Sequence, residues 1–305
     1  MEVKRIDNII VCEDAKVRVK EMGNITEIMY SDSYASRCSI KKLDKHTYID
    51  LATGDIKEFK KMENRACDIA SVRKSLGRLR DYINTNVTDV NNCKWITLTY
   101  AENMTDPKRL YKDFKNFNKR LRNYLKQKYE YIVAMEPQSR GAWHAHIVMI
   151  FDNNAPFIPN DKMAEIWGHG FTTTKKLDDV DNVGAYLTAY LGDMDVDEAV
   201  QDDEVLQRAL NGSMQVKEVE VEVDGNKVKK SYLKGARLYM YPPQFNLYRC
   251  SRGIKKPKIS YDTEKNAQKK VGFAEPTYEK SIQLVDKDKD FEKVLNYRYY
   301  NSMRK

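Results

Sequence analysis

The stretch Glu136-Pro137-Gln138-Ser139-Arg140-Gly141-Ala142-Trp143-His144-Ala145-His146 decides how this chain is read. It links two runs rich in β-branched and apolar residues, 129–135 and 143–151. Pro137 and Gly141 mark the link as a turn, so the runs are expected to pair as an antiparallel hairpin. Side chains alternate along a strand, which puts His144 and His146 on one face. A hairpin of this length can bring the Glu136 carboxylate across to that same face.

Outward from the hairpin the pattern continues. Residues 94–100 (Lys-Trp-Ile-Thr-Leu-Thr-Tyr) read as a strand. Asp106-Pro107 then opens a long helix, with Asp as N-cap, Pro in the first turn, and Leu110, Phe114, Phe117, Leu121 and Leu125 as its apolar stripe. Its remaining faces hold nine basic residues between Lys108 and Lys128 against one acid, Asp113. Such a face is either simply solvated or a seat for phosphates. Residues 160–167 read as a short helix, 170–176 as a strand and 180–191 as a helix. The order β-α-β-β-α-β-α predicts an α+β fold, an antiparallel sheet with flanking helices.

Before this region, Ile69, Val72, Leu76, Leu79 and Ile83 recur at helical spacing over 64–84, a basic helix, and 42–59 suggests two strands turning at Gly54. After it comes an acidic stretch, 193–204. Then Asp224-Gly225 marks a hairpin between 216–223 and 227–232, and a basic segment follows at 249–258. The last forty residues are charged, Tyr-bearing and without clear periodicity.

Composition narrows the class. With 41% hydrophobic residues among 305, a disordered chain is excluded, and 53 Lys and Arg against 45 Asp and Glu suit a polyanionic partner. The five cysteines are odd in number and form no C-x-x-C, so they read as reduced thiols of a cytoplasmic protein. No run is long and apolar enough to span a membrane, and no secretory signal opens the chain.

Two imidazoles on one strand face can chelate one cation, or they can be ordinary surface or core residues. Scarcity favours the first: the chain has four histidines, and two share this face. Tyr186 and Tyr190 stand four apart on the last helix and so share one of its faces, either as packing residues or as phenols able to attack a phosphodiester. Trp95, Tyr100, Trp143 and Trp167 are candidates for stacking on unpaired bases, with the core as their alternative place.

Taken in order, the W-I-T-L-T-Y strand, the G-x-W-H-A-H-I-V-M segment and the helix with paired tyrosines resemble the three motifs of the HUH endonucleases. More narrowly, they resemble rolling-circle replication initiator (Rep) proteins of bacterial plasmids and phages. The resemblance is firm over residues 92–193 and weaker at 64–86 and 237–258. It implies a ferredoxin/RRM-like core. It implies that His144 and His146 bind a divalent metal, Mg or Mn, with Glu136 as third ligand, while Thr97 and Thr99 lie beside the site. It implies that Tyr186 or Tyr190 attacks the origin phosphate of single-stranded DNA, leaving a 5′-phosphotyrosine and a free 3′-hydroxyl for the host polymerase. Single-tyrosine relatives often carry Lys three positions after the nucleophile; Ala189 and Asp193 stand there instead, which favours a two-tyrosine pattern.

The division expected is an N-terminal flank with a basic helix (1–90), a nuclease core (91–195), an extension with a hairpin and a basic segment (196–260) and a charged tail (261–305). Lys108, Lys112, Lys115, Lys119, Arg120, Arg122, Arg252, Lys255 and Lys256 are the expected DNA-backbone contacts. With no G-x-x-x-x-G-K-[ST] loop, a separate host helicase is implied, and the flanks could serve origin recognition or dimerisation. Two alternatives stand beside this reading: a mobilisation-type relaxase or transposase, and a single-strand binder without catalysis.

Overall fold

The computed structural model describes residues 2–33, 39–44, 46–138, 140–177, 182–188, 191–196, 215–223, 226–286 and 291–304. The chain divides into two compact units, Met1–Met62 with Pro257–Lys305, and Glu63–Lys256. The first begins with strands β1 (Glu2–Ile6), β2 (Lys16–Met22) and β3 (Ile25–Ser31), followed by β4 (Ile40–Lys42), β5 (Thr47–Asp50) and β6 (Ile56–Glu58). β4, β5 and β6 form a small antiparallel sheet whose second hairpin turns at Gly54, in the left-handed region with φ 77°.

The second unit opens with a 3-10 turn, Arg65–Asp68, capped by Asn64, that leads into α1 (Ile69–Asn86). Then come β7 (Cys93–Tyr100), α2 (Pro107–Leu125), β8 (Glu130–Pro137), β9 (Trp143–Ile150), α3 (Asn160–Trp167), β10 (Gly170–Lys175) and α4 (Val183–Thr188). A short β11 (Met194–Asp195), the hairpin β12 (Val216–Val223) and β13 (Asn226–Leu233), a 3-10 helix (Ala236–Met240) and β14 (Tyr248–Cys250) complete it. The fold is α+β. β7 to β10 and β14 make one antiparallel sheet in the order β10-β7-β9-β8-β14, and β11, β13 and β12 make a small second one. The Asp224-Gly225 tip of the hairpin lies outside the described residues.

α2 forms where its sequence places it: the Asp106 side chain accepts from the Lys108 N–H at 2.8 Å, with Pro107 at the first helical position. Leu110, Phe114, Phe117 and Leu121 are buried against Ile96, Leu98, Val133, Met135, Ala145, Ile147 and Met149. These strand residues share one face of the five-stranded sheet, and Met163, Ile166 and Trp167 of α3 join the same core. Asp113 corrects the expectation of a wholly solvated polar side to α2. It is buried, where it accepts a 3.0 Å hydrogen bond from the Tyr100 hydroxyl and faces Arg109 at 3.3 Å.

The first unit is completed from the C-terminal end by β15 (Lys258–Thr263), α5 (Glu264–Lys270), β16 (Tyr278–Asp286) and β17 (Phe291–Asn301). Residues 261–305, expected as a charged tail, thus supply two long strands to a six-stranded sheet ordered β1-β16-β17-β3-β2-β15. Ala267 of α5 packs on Val17, Val19, Ile28 and Tyr300 of that sheet. Among the described residues no helix is long and apolar enough to cross a membrane.

Candidate active site

The face of the five-stranded sheet opposite α2 is organised in rows. β9 lies between β7 and β8, and the register places Thr99, His144 and Glu136 side by side in one row. The next row is Thr97, His146 and Ala134; the third is Trp95, Val148 and Ile132. β10 extends the first row with Phe171 and the second with Thr173. The third row is apolar and lies in one cluster with Leu79 and Ile83 of α1 and Leu187 of α4. Polar rows therefore begin where that apolar cover ends, beside a cavity of about 20 Å³ lined by His146, Ala134 and Leu187 among others.

Glu136 is buried, and both its oxygens have partners. Oε1 accepts from the Gly192 N–H at 2.9 Å and from Arg237 Nη1 at 3.2 Å, while Oε2 stands 3.3 Å from His146 Nε2. Burial alone would raise its pKa. The hydrogen bond and charge of His146, the Arg237 guanidinium and the Gly192 N–H outweigh that and hold the carboxyl below the usual range. His146 Nδ1 lies 3.1 Å from the Thr97 hydroxyl. A hydroxyl can accept from Nδ1–H as well as donate, so it can fix the tautomer that leaves the Nε2 lone pair for another ligand.

His144 differs. Burial first, then the neighbouring charges of His146, Arg237 and Arg140 against the pull of Glu136, push its pKa down to about 4, so the ring is neutral at physiological pH. Its Nε2 is buried and has no hydrogen-bond partner among the described residues. A neutral imidazole with an unengaged buried nitrogen, beside a second imidazole (ring centres 6.0 Å apart) and a carboxylate, is a donor set that fits a divalent ion. The side chains do not stand as a ready-made cluster of three ligands among the described residues, since Glu136 Oε1 is already engaged elsewhere.

Tyr186 is carried by α4; its side chain, like the whole of Ala189 and Tyr190, lies outside the described residues. The seat of α4 is well defined. The buried Asn84 side chain of α1 accepts from the Gly184 N–H at 2.7 Å and donates to Asn182 Oδ1 at 2.8 Å, and Asn182 in turn accepts from the Ala185 N–H. A Cβ at Gly184 would collide with the Arg80 carbonyl and the Asn84 amide, so only glycine lets α4 approach α1 this closely.

The expected DNA contacts fall into separate groups. Lys108, Lys112, Lys115, Lys119 and Arg122 are exposed on α2, which covers the face of the sheet away from the histidines. Arg120 is engaged: Nε and Nη2 donate to the carbonyls of Ile166 and Trp167 at 2.7 and 2.8 Å, closing the C-terminal end of α3. Arg252, Lys255 and Lys256 are exposed on the loop after β14, which Asn86 of α1 holds by paired hydrogen bonds to the Lys255 backbone. Tyr100, Trp143 and Trp167 are core residues, while Trp95 is half-buried with its ring 6.0 Å from His146. Phe171, 69% exposed at the end of the first polar row, is the aromatic that sequence pattern did not single out. Arg237, Gly192 and Asn84 were likewise invisible, because nothing local in the sequence marks which residue will touch Glu136 or α4.

Residues 93–195, about a third of the chain, match the model of a family of replication-associated proteins, the ORF2 type. This segment runs from β7 to β11 and contains every residue of the polar rows named above. No curated protein and no solved structure matches the chain.

Proposed function

We propose that the second unit is the nuclease of a rolling-circle replication initiator, nicking and rejoining single-stranded origin DNA through a tyrosine nucleophile. The observation that carries this reading is the convergence of Glu136, His144 and His146 on one sheet face beside the helix holding Tyr186, inside the segment similar to replication-associated proteins.

His144 and His146, with Glu136 through Oε2, would hold a divalent ion, Mg or Mn. When bound, such an ion polarises a phosphate oxygen and offsets the charge that develops there. The chain's own residues do the rest. Thr97 orients the His146 ring, and burial keeps His144 neutral and able to donate a lone pair. The row of Leu79, Ile83 and Leu187 closes one end of the polar strip, so an entering strand meets the polar rows and Phe171, whose exposed ring offers stacking surface. The phenol oxygen of Tyr186 or Tyr190 forms the bond to phosphorus as the P–O3′ bond breaks; the phenol proton is lost and the leaving 3′ oxygen gains one. The product is a 5′-phosphotyrosine and a 3′-hydroxyl that a host polymerase can extend, with strand separation left to a host helicase.

The test incubates the full chain with a labelled pool of random single-stranded oligonucleotides and Mn or Mg. The expected result is a protein–DNA adduct that survives denaturation, absent in Tyr186→Phe/Tyr190→Phe and in His144→Ala/His146→Ala. No adduct under either metal, or undiminished adduct in the double tyrosine variant, overturns the proposal. Binding without any adduct in the wild type would leave a non-catalytic single-strand binder.

A further inference from the structure

Three distant parts of the chain close a ring around Glu136. The Gly192 N–H donates to Oε1 at 2.9 Å; the Gly192 carbonyl accepts from the Arg237 backbone N–H at 2.9 Å; and Arg237 Nη1 returns to the same Oε1 at 3.2 Å. Gly192 lies just beyond α4 and the tyrosine motif. Arg237 belongs to the 3-10 helix after the β12–β13 hairpin, outside the 93–195 segment that matches the replication family. Neighbouring contacts reinforce the ring: Asp193 accepts from the Gly235 N–H at 2.8 Å, and Met194 and Asp195 pair with Leu233 and Tyr232. Gly192 has φ 82°, and a Cβ there would sit 3.2 Å from Leu238, so the ring also depends on this residue being glycine.

We infer that Arg237 is a positioning residue for Glu136, and that the extension 216–241 thereby completes the site. The inference rests on the reading of Glu136 as a metal ligand. A carboxylate free to rotate can present either oxygen, or both, to an ion. Here Oε1 is held by an N–H and a guanidinium, so Oε2, the oxygen facing His146, is the one left to serve. Outer contacts of this kind orient ligating groups, and their loss typically lowers metal affinity about 10- to 100-fold. The same ring ties the exit of the tyrosine helix to the metal carboxylate, so one contact network sets both.

A purely structural ion pair makes a different forecast. Removing a positive charge from beside a cation site strengthens cation binding by Coulomb's law alone. A fall in affinity therefore reports lost orientation. The experiment measures Mn binding to the full chain by calorimetry, with thermal unfolding followed in parallel, for the wild type, Arg237→Gln, Arg237→Lys and His144→Ala. Arg237→Gln is expected to bind Mn roughly 10- to 100-fold more weakly. Arg237→Lys, which keeps the charge and loses the planar fork, is expected to fall between it and the wild type. A folded Arg237→Gln with wild-type or tighter affinity overturns the inference. If that variant does not fold, Arg237→Lys decides: intermediate affinity supports the inference and wild-type affinity overturns it. Wild type that binds Mn no better than His144→Ala would instead remove the metal reading itself.

Discussion

The two faces of the five-stranded sheet are built from alternate residues of the same strands, yet they follow opposite rules. On one face Ile96, Leu98, Val133, Met135, Ala145, Ile147 and Met149 lie under α2 and α3 in a dry core. On the other, Thr97, Thr99, Glu136, His144 and His146 occupy the matching positions, and apolar packing resumes only at the row of Trp95, Val148 and Ile132. A sheet selected for stability alone would have no reason to bury Glu136 at 6% exposure or to leave His144 Nε2 without a partner. The back face holds the strands in register. The front face gives up part of that stability for a polar constellation.

The comparison is sharpest under paired substitution. Phe117, 2% exposed between α2 and the back face, is expected to cost about 3–5 kcal/mol when cut to Ala, from lost burial and the cavity left behind. His144→Leu, on the front face, is expected to leave stability unchanged or raise it by up to about 1 kcal/mol, since it replaces a buried unpartnered nitrogen by an apolar group of similar size. Denaturant midpoints of the two variants measure this directly. A His144→Leu variant as unstable as Phe117→Ala would mean that the imidazole is a structural core residue.

A smaller effect separates the histidines from one another. Thr97→Val removes the hydroxyl 3.1 Å from His146 Nδ1 and little else. The expected stability loss is about 1 kcal/mol, the contribution of one hydrogen bond. Mn affinity is expected to fall by about tenfold, at the low end of what loss of an orienting contact costs. Equal Mn affinity in the variant and the wild type would show that Thr97 only fills the row.

Much of the second unit could be read directly from the residues, because its local signals agree with its tertiary context. Asp106-Pro107 starts a helix and the Pro137–Gly141 link turns a hairpin whatever surrounds them. The first unit was less legible for a physical reason. β1 pairs with β16 and β3 with β17, partners more than 250 residues apart, and the buried face of that sheet includes Ser281 and Asn296, both fully buried. Asn296 donates to Ser281 Oγ and to Glu279 Oε1, so polar residues stand where alternation would need apolar ones. The site divides in the same way. His144 and His146 share a face by strand geometry alone, and Glu136 meets them because the hairpin is short. Arg237 could not be found, because it is one of 53 basic residues and reaches Glu136 only through a second hairpin.

The smallest expected effect tests what the basic side of α2 is for. Lys119 and Arg120 are sequence neighbours of equal charge, both expected from sequence to hold DNA backbone, and the structure gives them different surroundings. Lys119 is exposed, whereas Arg120 is bound to the Ile166 and Trp167 carbonyls at the end of α3. If α2 lies along a DNA backbone, Lys119→Ala should weaken single-strand binding alike for all sequences and reduce the slope of log affinity against log salt by about 0.7, the release of one counterion from a single strand. Arg120→Ala should leave that slope near the wild-type value and instead lower stability by about 1 kcal/mol, through two carbonyls that lose their donor. Salt titrations of both variants, read with their unfolding midpoints, decide the matter. Identical slopes for Lys119→Ala and the wild type would confine DNA contact to the histidine face, leaving α2 as a solvated cover whose lysines serve solubility alone.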